Sequence, residues 1–255
     1  MIRIRELKMS YSHGDPFTID AAFFERGKLT TIIGRNGCGK TTLLRAMAGF
    51  MPYSGNILID GKECRDYRRK ERAVKLSYLP QIVRSAGMDV KTLADHGRFP
   101  WHGNYRNLSD EDKRLVENAL EVTKMAPYRD RSLAELSGGE LRRAYLAMVI
   151  AQNEEMMLLD EPTTYMDIES QTLLFEIVRE LLKRQVGIIM TCHHMEQSFS
   201  YSDQIVIMDN RAIRRSGTPA DLAGDTQVLE EVFGASVKKT EDRELLYPDV
   251  LVKRG

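Results

Sequence analysis

No run of about 18 apolar residues occurs anywhere in the 255-residue chain, so it does not cross a membrane by itself. The opening residues, Met1-Ile2-Arg3-Ile4-Arg5-Glu6, alternate apolar with charged groups and lack the apolar centre of a signal peptide. Cysteine is scarce: Cys38, Cys64 and Cys192 are odd in number and lack metal-ligand spacing, which suits a reducing cytosol. An excess of either charge is also missing, with Lys+Arg and Asp+Glu both at 37 and no basic stripe, so nothing asks for nucleic acid. His13, His96 and His102 have no partners at ligand spacing and read as surface groups. Internal repeats and low-complexity segments are absent as well.

What is present is a glycine-rich turn in a telling place. Leu29-Thr30-Thr31-Ile32-Ile33 reads as a strand, Leu43 to Ala48 as a helix, and Gly34-Arg35-Asn36-Gly37-Cys38-Gly39-Lys40-Thr41-Thr42 joins them. Every fixed position of G-x-x-x-x-G-K-[ST] is matched. Glycines at 34, 37 and 39 let successive backbone N–H groups turn inward on a phosphate chain. The helix start near Lys40 adds its dipole, Lys40 reaches the β/γ oxygens, and Thr41 offers a hydroxyl to magnesium. A dinucleotide-binding reading of the same glycines fails, because Thr42 stands where the third glycine belongs. The stretch is a site for a nucleoside triphosphate. Cys38 lies between Gly37 and Gly39, near a helix N-terminus and Lys40, which predicts a lowered thiol pKa. The simpler reading of Cys38 is a small residue filling a tight turn.

Along the chain, Ile2-Arg3-Ile4, Phe17 to Phe23 and Gly55 to Lys62 read as strands, and Val74 to Gln81 as a strand closed by Pro80. From Asp89 to Asn153 the pattern is helical, with Ser109 and Asp112 spaced as a capping box. Met156 to Asp160 is an apolar run ending in a carboxylate, as a buried parallel strand reads. Leu173, Leu174, Ile177, Val178, Leu181 and Leu182 share one helix face, and Gly187–Thr191 and Gln204–Met208 are further strands. Residues 211–255 are mixed and polar. The fold class expected is α/β: a phosphate-loop NTPase core of the RecA-like kind with an N-terminal antiparallel β subdomain and an inserted helical subdomain. The expected division is 1–82 and 154–215 for the core, 83–153 for the helical lobe and 216–255 for a C-terminal extension.

A second motif selects among phosphate-loop machines. Leu136-Ser137-Gly138-Gly139-Glu140 precedes a good helix and forms another small anion-binding helix start. One nucleotide needs one such site, so a second suggests a nucleotide sandwiched between two copies. Asp160, at a strand end, is a hard oxygen ligand for Mg²⁺, and Glu161 projects differently and can orient or deprotonate a water.

These elements, in this order, resemble the ATP-binding-cassette ATPases over nearly the whole chain. The resemblance implies that Tyr11 stacks on adenine, though a tyrosine near a strand end is often simply packed. It makes Gly34 to Thr42 the Walker A loop, Gln81 the Q-loop glutamine touching Mg²⁺ and the lytic water, and Ser137 to Glu140 the signature, where Gln is commoner than Glu140. Asp160 ends Walker B, Glu161 is the catalytic carboxylate, Asp167 belongs to the D-loop and His193 is the switch histidine. Aligning His193-His194-Met195-Glu196-Gln197-Ser198 with the family pattern favours His193 over its neighbour. ATP and Mg²⁺ are the implied cofactors, and a second copy is the implied partner.

A narrower resemblance, to importers of iron–siderophore complexes, haem and vitamin B12, rests on Gly97-Arg98-Phe99-Pro100, Leu146 to Gln152, and Asp160 to Ile168 with Tyr165. It implies a peripheral subunit on the cytoplasmic side of a membrane, docked on an integral-membrane permease and served indirectly by a substrate-binding protein. Phe99, Pro100, Trp101 and Tyr105 either face that permease or pack the lobe's own core. Two alternatives stand beside this one. A soluble cassette acting in iron–sulfur cluster assembly is opposed by Gly97–Pro100 and Tyr165, and a small-molecule kinase has no need of Leu136 to Glu140.

Overall fold

The computed structural model describes residues 1–9, 16–102, 108–164, 166–234, 236–239 and 248–251. In chain order these form β1 (Ile2–Met9), β2 (Phe17–Phe24), β3 (Leu29–Gly34), α1 (Lys40–Met47), β4 (Ser54–Ile59), β5 (Lys62–Glu63), α2 (Arg69–Lys75) and β6 (Leu76–Leu79). The middle of the chain supplies α3 (Val90–Asp95), α4 (Phe99–His102), α5 (Asp110–Val122) and α6 (Gly138–Ala151). Next come β7 (Met156–Leu159), α7 (Ile168–Lys183), β8 (Gly187–Thr191), α8 (Met195–Tyr201), β9 (Gln204–Asp209) and β10 (Ala212–Gly217). The chain closes with α9 (Pro219–Ala223), α10 (Thr226–Phe233) and an antiparallel pair, β11 (Ser236–Lys239) and β12 (Pro248–Leu251).

Two sheets carry the site. The larger has the order β10-β9-β3-β8-β7-β6, parallel except at β10, and the smaller, antiparallel one has the order β2-β1-β4-β5. Every residue of β3, β7 and β8 is buried, as central strands covered on both faces must be. In β1, by contrast, Ile2, Ile4, Leu7 and Met9 are buried between exposed polar residues, because one face of that sheet meets water. Those side chains join Leu43, Leu44 and Met47 of α1 and Leu158 and Ile189 in one core between the sheets. A second core runs from α3, α5 and α6 into α7 and β7.

The chain departs from the sequence reading in two places. Val74 and Lys75 close α2 rather than opening a strand, so β6 has only four residues. Glu71 accepts the Arg68 amide at 3.1 Å and stabilises that helix start. The polar C-terminal stretch is also better organised than its composition suggests. Leu222, Leu229 and Val232 from α9 and α10 are buried against Ile33, Ile205 and Ile207. The Ser109–Asp112 capping box is present at the start of α5.

Candidate active site

All the groups singled out on the parallel sheet lie at the C-terminal ends of its strands, where open α/β sheets hold their ligands. The loop after β3 takes its shape from glycines that cannot be replaced without collision. Gly34 is at φ 157°, and a Cβ there would lie 2.2 Å from the Met208 carbonyl. Gly39 is at φ 105°, left-handed, and a Cβ there would lie 2.4 Å from the Phe17 ring. Arg35, Asn36 and Gly37 are exposed on the turn. Lys40 is 5% exposed, and its ammonium donates to the carbonyls of Gly34 at 2.9 Å and Arg35 at 3.3 Å, inside the curve of the loop. Thr41 and Thr42 follow, half-buried, in the first turn of α1.

The thiol of Cys38 overturns one expectation. Burial pushes its pKa up, and the opposing pull of Lys40 is smaller. Its sulfur is packed so closely that a Cβ on Gly34 would come within 2.8 Å of it. Cys38 is therefore the small residue that fills the turn.

Beside this loop sits the carboxylate pair after β7. Asp160, fully buried, accepts from Thr41 Oγ1 at 3.0 Å and Thr191 Oγ1 at 2.9 Å on Oδ1, and from Tyr78 Oη at 3.1 Å on Oδ2. Burial, and then the charge of Asp160, push the Tyr78 phenol up and keep it a donor. Glu161 adopts φ 46°, a left-handed backbone uncommon for a side chain of its size, and its amide donates to Thr191 Oγ1 at 2.7 Å. Its carboxylate meets two polar groups. Gln81 Nε2 donates to Oε2 at 2.6 Å, and His193 Nε2 contacts Oε1. Thr41 at the start of α1 and Gln81, Asp160, Glu161 and His193 after β6, β7 and β8 thus form one constellation, with Lys40 next to Thr41 in the loop.

Ser137 to Glu140 occupy a second cleft, of about 420 Å³, lined also by Arg143, Asp167 and Ser170. Ser137 caps α6: its hydroxyl accepts the Glu140 amide at 3.3 Å while the Glu140 carboxylate takes the Ser137 amide at 2.8 Å and hydroxyl at 2.7 Å. Those Ser137 bonds hold Glu140 below the usual carboxylate range, so this helix start carries a negative charge of its own. Asp167 caps α7 by accepting the Ser170 amide at 2.8 Å. Tyr11 and Tyr165 lie outside the described residues, as do His13 and Tyr105.

The donors around Asp160 suit a magnesium ion. Thr41 Oγ1 and Asp160 Oδ1 are hard oxygens 3.0 Å apart, the chemistry that this ion prefers. Sequence reasoning missed three residues here: Tyr78, Thr191 and Arg142. Only Arg142 left a signal, since it falls on the buried face of α6 in register with Leu146, Val149 and Ile150.

Among the described residues, no helix is long and apolar enough to cross a membrane. The family model described as ABC transporter matches residues 21–164. The petrobactin import ATP-binding protein FpuD of Bacillus anthracis is 35% identical over 231 residues, covering 89% of this chain and 84% of that protein. The iron(3+)-hydroxamate import ATP-binding protein FhuC of Bacillus subtilis is 36% identical over 211 residues, covering 82% and 78%. An inward-facing structure of a putative metal-chelate type ABC transporter superimposes with a TM-score of 0.82 over 99% of this chain and 98% of that one, at 20% identity, which speaks for the fold. The chain belongs to the ABC transporter family and is one of its ATPase subunits.

Proposed function

We propose that the chain is the ATP-hydrolysing motor of an importer for iron(III)–siderophore, haem or cobalamin-type cargo, peripheral on the cytoplasmic side of the membrane. Two copies close on two Mg·ATP, drive an integral-membrane permease and reopen after hydrolysis, and a substrate-binding protein delivers cargo to that permease. The observation that carries this reading is Glu161, held between Gln81 and His193 one residue beyond the Asp160–Thr41 contact.

In this reading the amides of Gly34 to Thr42 cradle the phosphates, and Lys40 moves its ammonium from the loop carbonyls to the β/γ oxygens. Thr41 and Asp160, with Gln81 beside them, would hold the Mg²⁺, which would supply charge neutralisation at the phosphates. Glu161 orients the attacking water and takes its proton, and His193 donates toward the γ-phosphate. Tyr11 stacks on the adenine. Ser137 to Glu140 and Asp167, in their separate cleft, close the nucleotide held by the other copy. The division at 1–82 with 154–215, 83–153 and 216–255 belongs to the same reading, with Gln81 at the junction between core and helical lobe.

The relatives named above are import proteins, which disfavours both a cluster-assembly cassette and a small-molecule kinase. Glu161→Gln tests the proposal. It should keep ATP binding, abolish phosphate release and trap a dimer detectable by light scattering. Normal hydrolysis by that variant would remove Glu161 from its role.

A further inference from the structure

Arg142 is an arginine that a globular fold rarely hides. It is 3% exposed, in the second turn of α6, directly after the Ser137–Glu140 segment. Among the described residues its guanidinium meets no carboxylate side chain at bonding distance, and it instead grips four backbone carbonyls. The Nη1 nitrogen donates to Pro80 O at 2.9 Å and to Gln81 O, and the Nη2 nitrogen donates to Asp160 O and Glu161 O, both at 2.8 Å. Burial disfavours the cation there, and the charges of Asp160 and Glu161 offset part of that cost.

The place of these bonds gives them meaning. β6 and β7 are paired up to Leu79 and Leu159, and the Asp160 amide still reaches Leu79 O at 2.9 Å. Strand pairing ends there, and Gln81 and Glu161 follow on the two segments. Arg142 bridges them where strand pairing no longer can. It therefore sets the separation of the backbones whose side chains meet at 2.6 Å between Gln81 Nε2 and Glu161 Oε2. A planar fork with donors on two nitrogens can hold both edges at once, which an ammonium cannot.

We propose that Arg142 is a positioning residue that couples the two nucleotide sites of the dimer, by tying the helix that closes one site to the backbone of Gln81 and Glu161 in the other. This rests on the reading above, in which Ser137 to Glu140 close the nucleotide of the second copy. A shift of the first turn of α6 on meeting that nucleotide is passed by Arg142 to Glu161 of its own chain. Each site then aligns its catalytic carboxylate when the opposite site is filled.

The test is the steady-state ATPase of the full chain against ATP concentration, for the wild type, Arg142→Gln and Arg142→Lys, beside nucleotide titration and thermal melting. Arg142→Gln should lower kcat about tenfold to a hundredfold, since small misplacements of reacting groups have effects of that size. Nucleotide affinity should stay within about threefold, a pattern that separates alignment from binding. The Hill coefficient should fall toward unity, and Arg142→Lys, which keeps charge and stem, should recover part of kcat. An unchanged kcat, or a loss of kcat with the cooperativity intact, overturns the proposal. So does a loss of affinity that follows a lowered melting temperature in both variants, since that marks a merely structural residue. Failure of the two-site reading would be seen separately, as non-cooperative hydrolysis by the wild type.

Discussion

The hydroxyl of Thr191 donates to Asp160 Oδ1 at 2.9 Å while it accepts the Glu161 amide at 2.7 Å, so one residue of β8 holds the Asp160 carboxylate and the Glu161 backbone together. Thr191→Val keeps the shape and removes both bonds, leaving a buried amide without a partner, at a cost of about 1–3 kcal/mol. Thr191→Ser keeps them. The first variant should lower the melting temperature and the rate of phosphate release together, and the second should change neither; equal behaviour of the two would show that the methyl, not the hydroxyl, matters.

Glu140 places a negative charge at the helix start proposed to meet a triphosphate. Glu140→Gln retains an acceptor for Ser137 and removes that charge. Helix-terminal charges of this kind contribute about 0.3–1 kcal/mol at low ionic strength, so ATP-driven dimerisation should tighten by up to about fivefold. High salt should erase the difference. A salt-independent effect would place the cause elsewhere.

How far the sequence leads can be judged from these residues. Gly34 to Thr42 and the Asp160–Glu161 pair stand out by their spacing and His193 by its resemblance to the family pattern, and the structure brings Thr41 to Asp160 and His193 to Glu161. Strand β7 was legible because burial on both faces leaves only apolar residues possible. Thr191 and Tyr78 were not, since a threonine or tyrosine near a strand end looks the same whether its hydroxyl meets a carboxylate or water. The start of β6 was misjudged for a similar reason: Val74 has strand propensity, and a helix cap six residues upstream outweighs it.

Glu154 is buried, with the Ser77 hydroxyl on one oxygen and, among the described residues, no partner on Oε2. Burial raises its pKa from the ordinary 4.5 to about 8. The unfolded chain releases this proton near its ordinary value, whereas the folded chain keeps it. Its contribution is complete below that value, and stability falls by about 1.4 kcal/mol per pH unit as pH rises toward 8. Glu154→Gln should flatten this slope, which thermal melts between pH 5 and pH 8 would reveal as a crossing of the two curves; parallel curves would refute it.

Phe99 and Trp101 are 48% and 43% exposed, so these two aromatics do not form the core of the helical lobe. Phe99→Ala should leave the melting temperature and basal ATPase of the isolated chain nearly unchanged and weaken its co-purification with the permease. Intact binding to the permease would move the contact elsewhere.

The platform under Phe99 is held by Arg98, which donates to Asp112 Oδ1 at 2.7 Å and to the carbonyls of Ala151 at 2.9 Å and Gln152 at 3.1 Å. Those carbonyls end α6, whose first turn follows Ser137 and whose second carries Arg142. A helix of 14 residues spans about 21 Å and barely bends over that length. It is one stiff strut: its C-terminal end is bonded to Arg98, its N-terminal cap is Ser137, and Arg142 ties it near that cap to the backbone of Gln81 and Glu161.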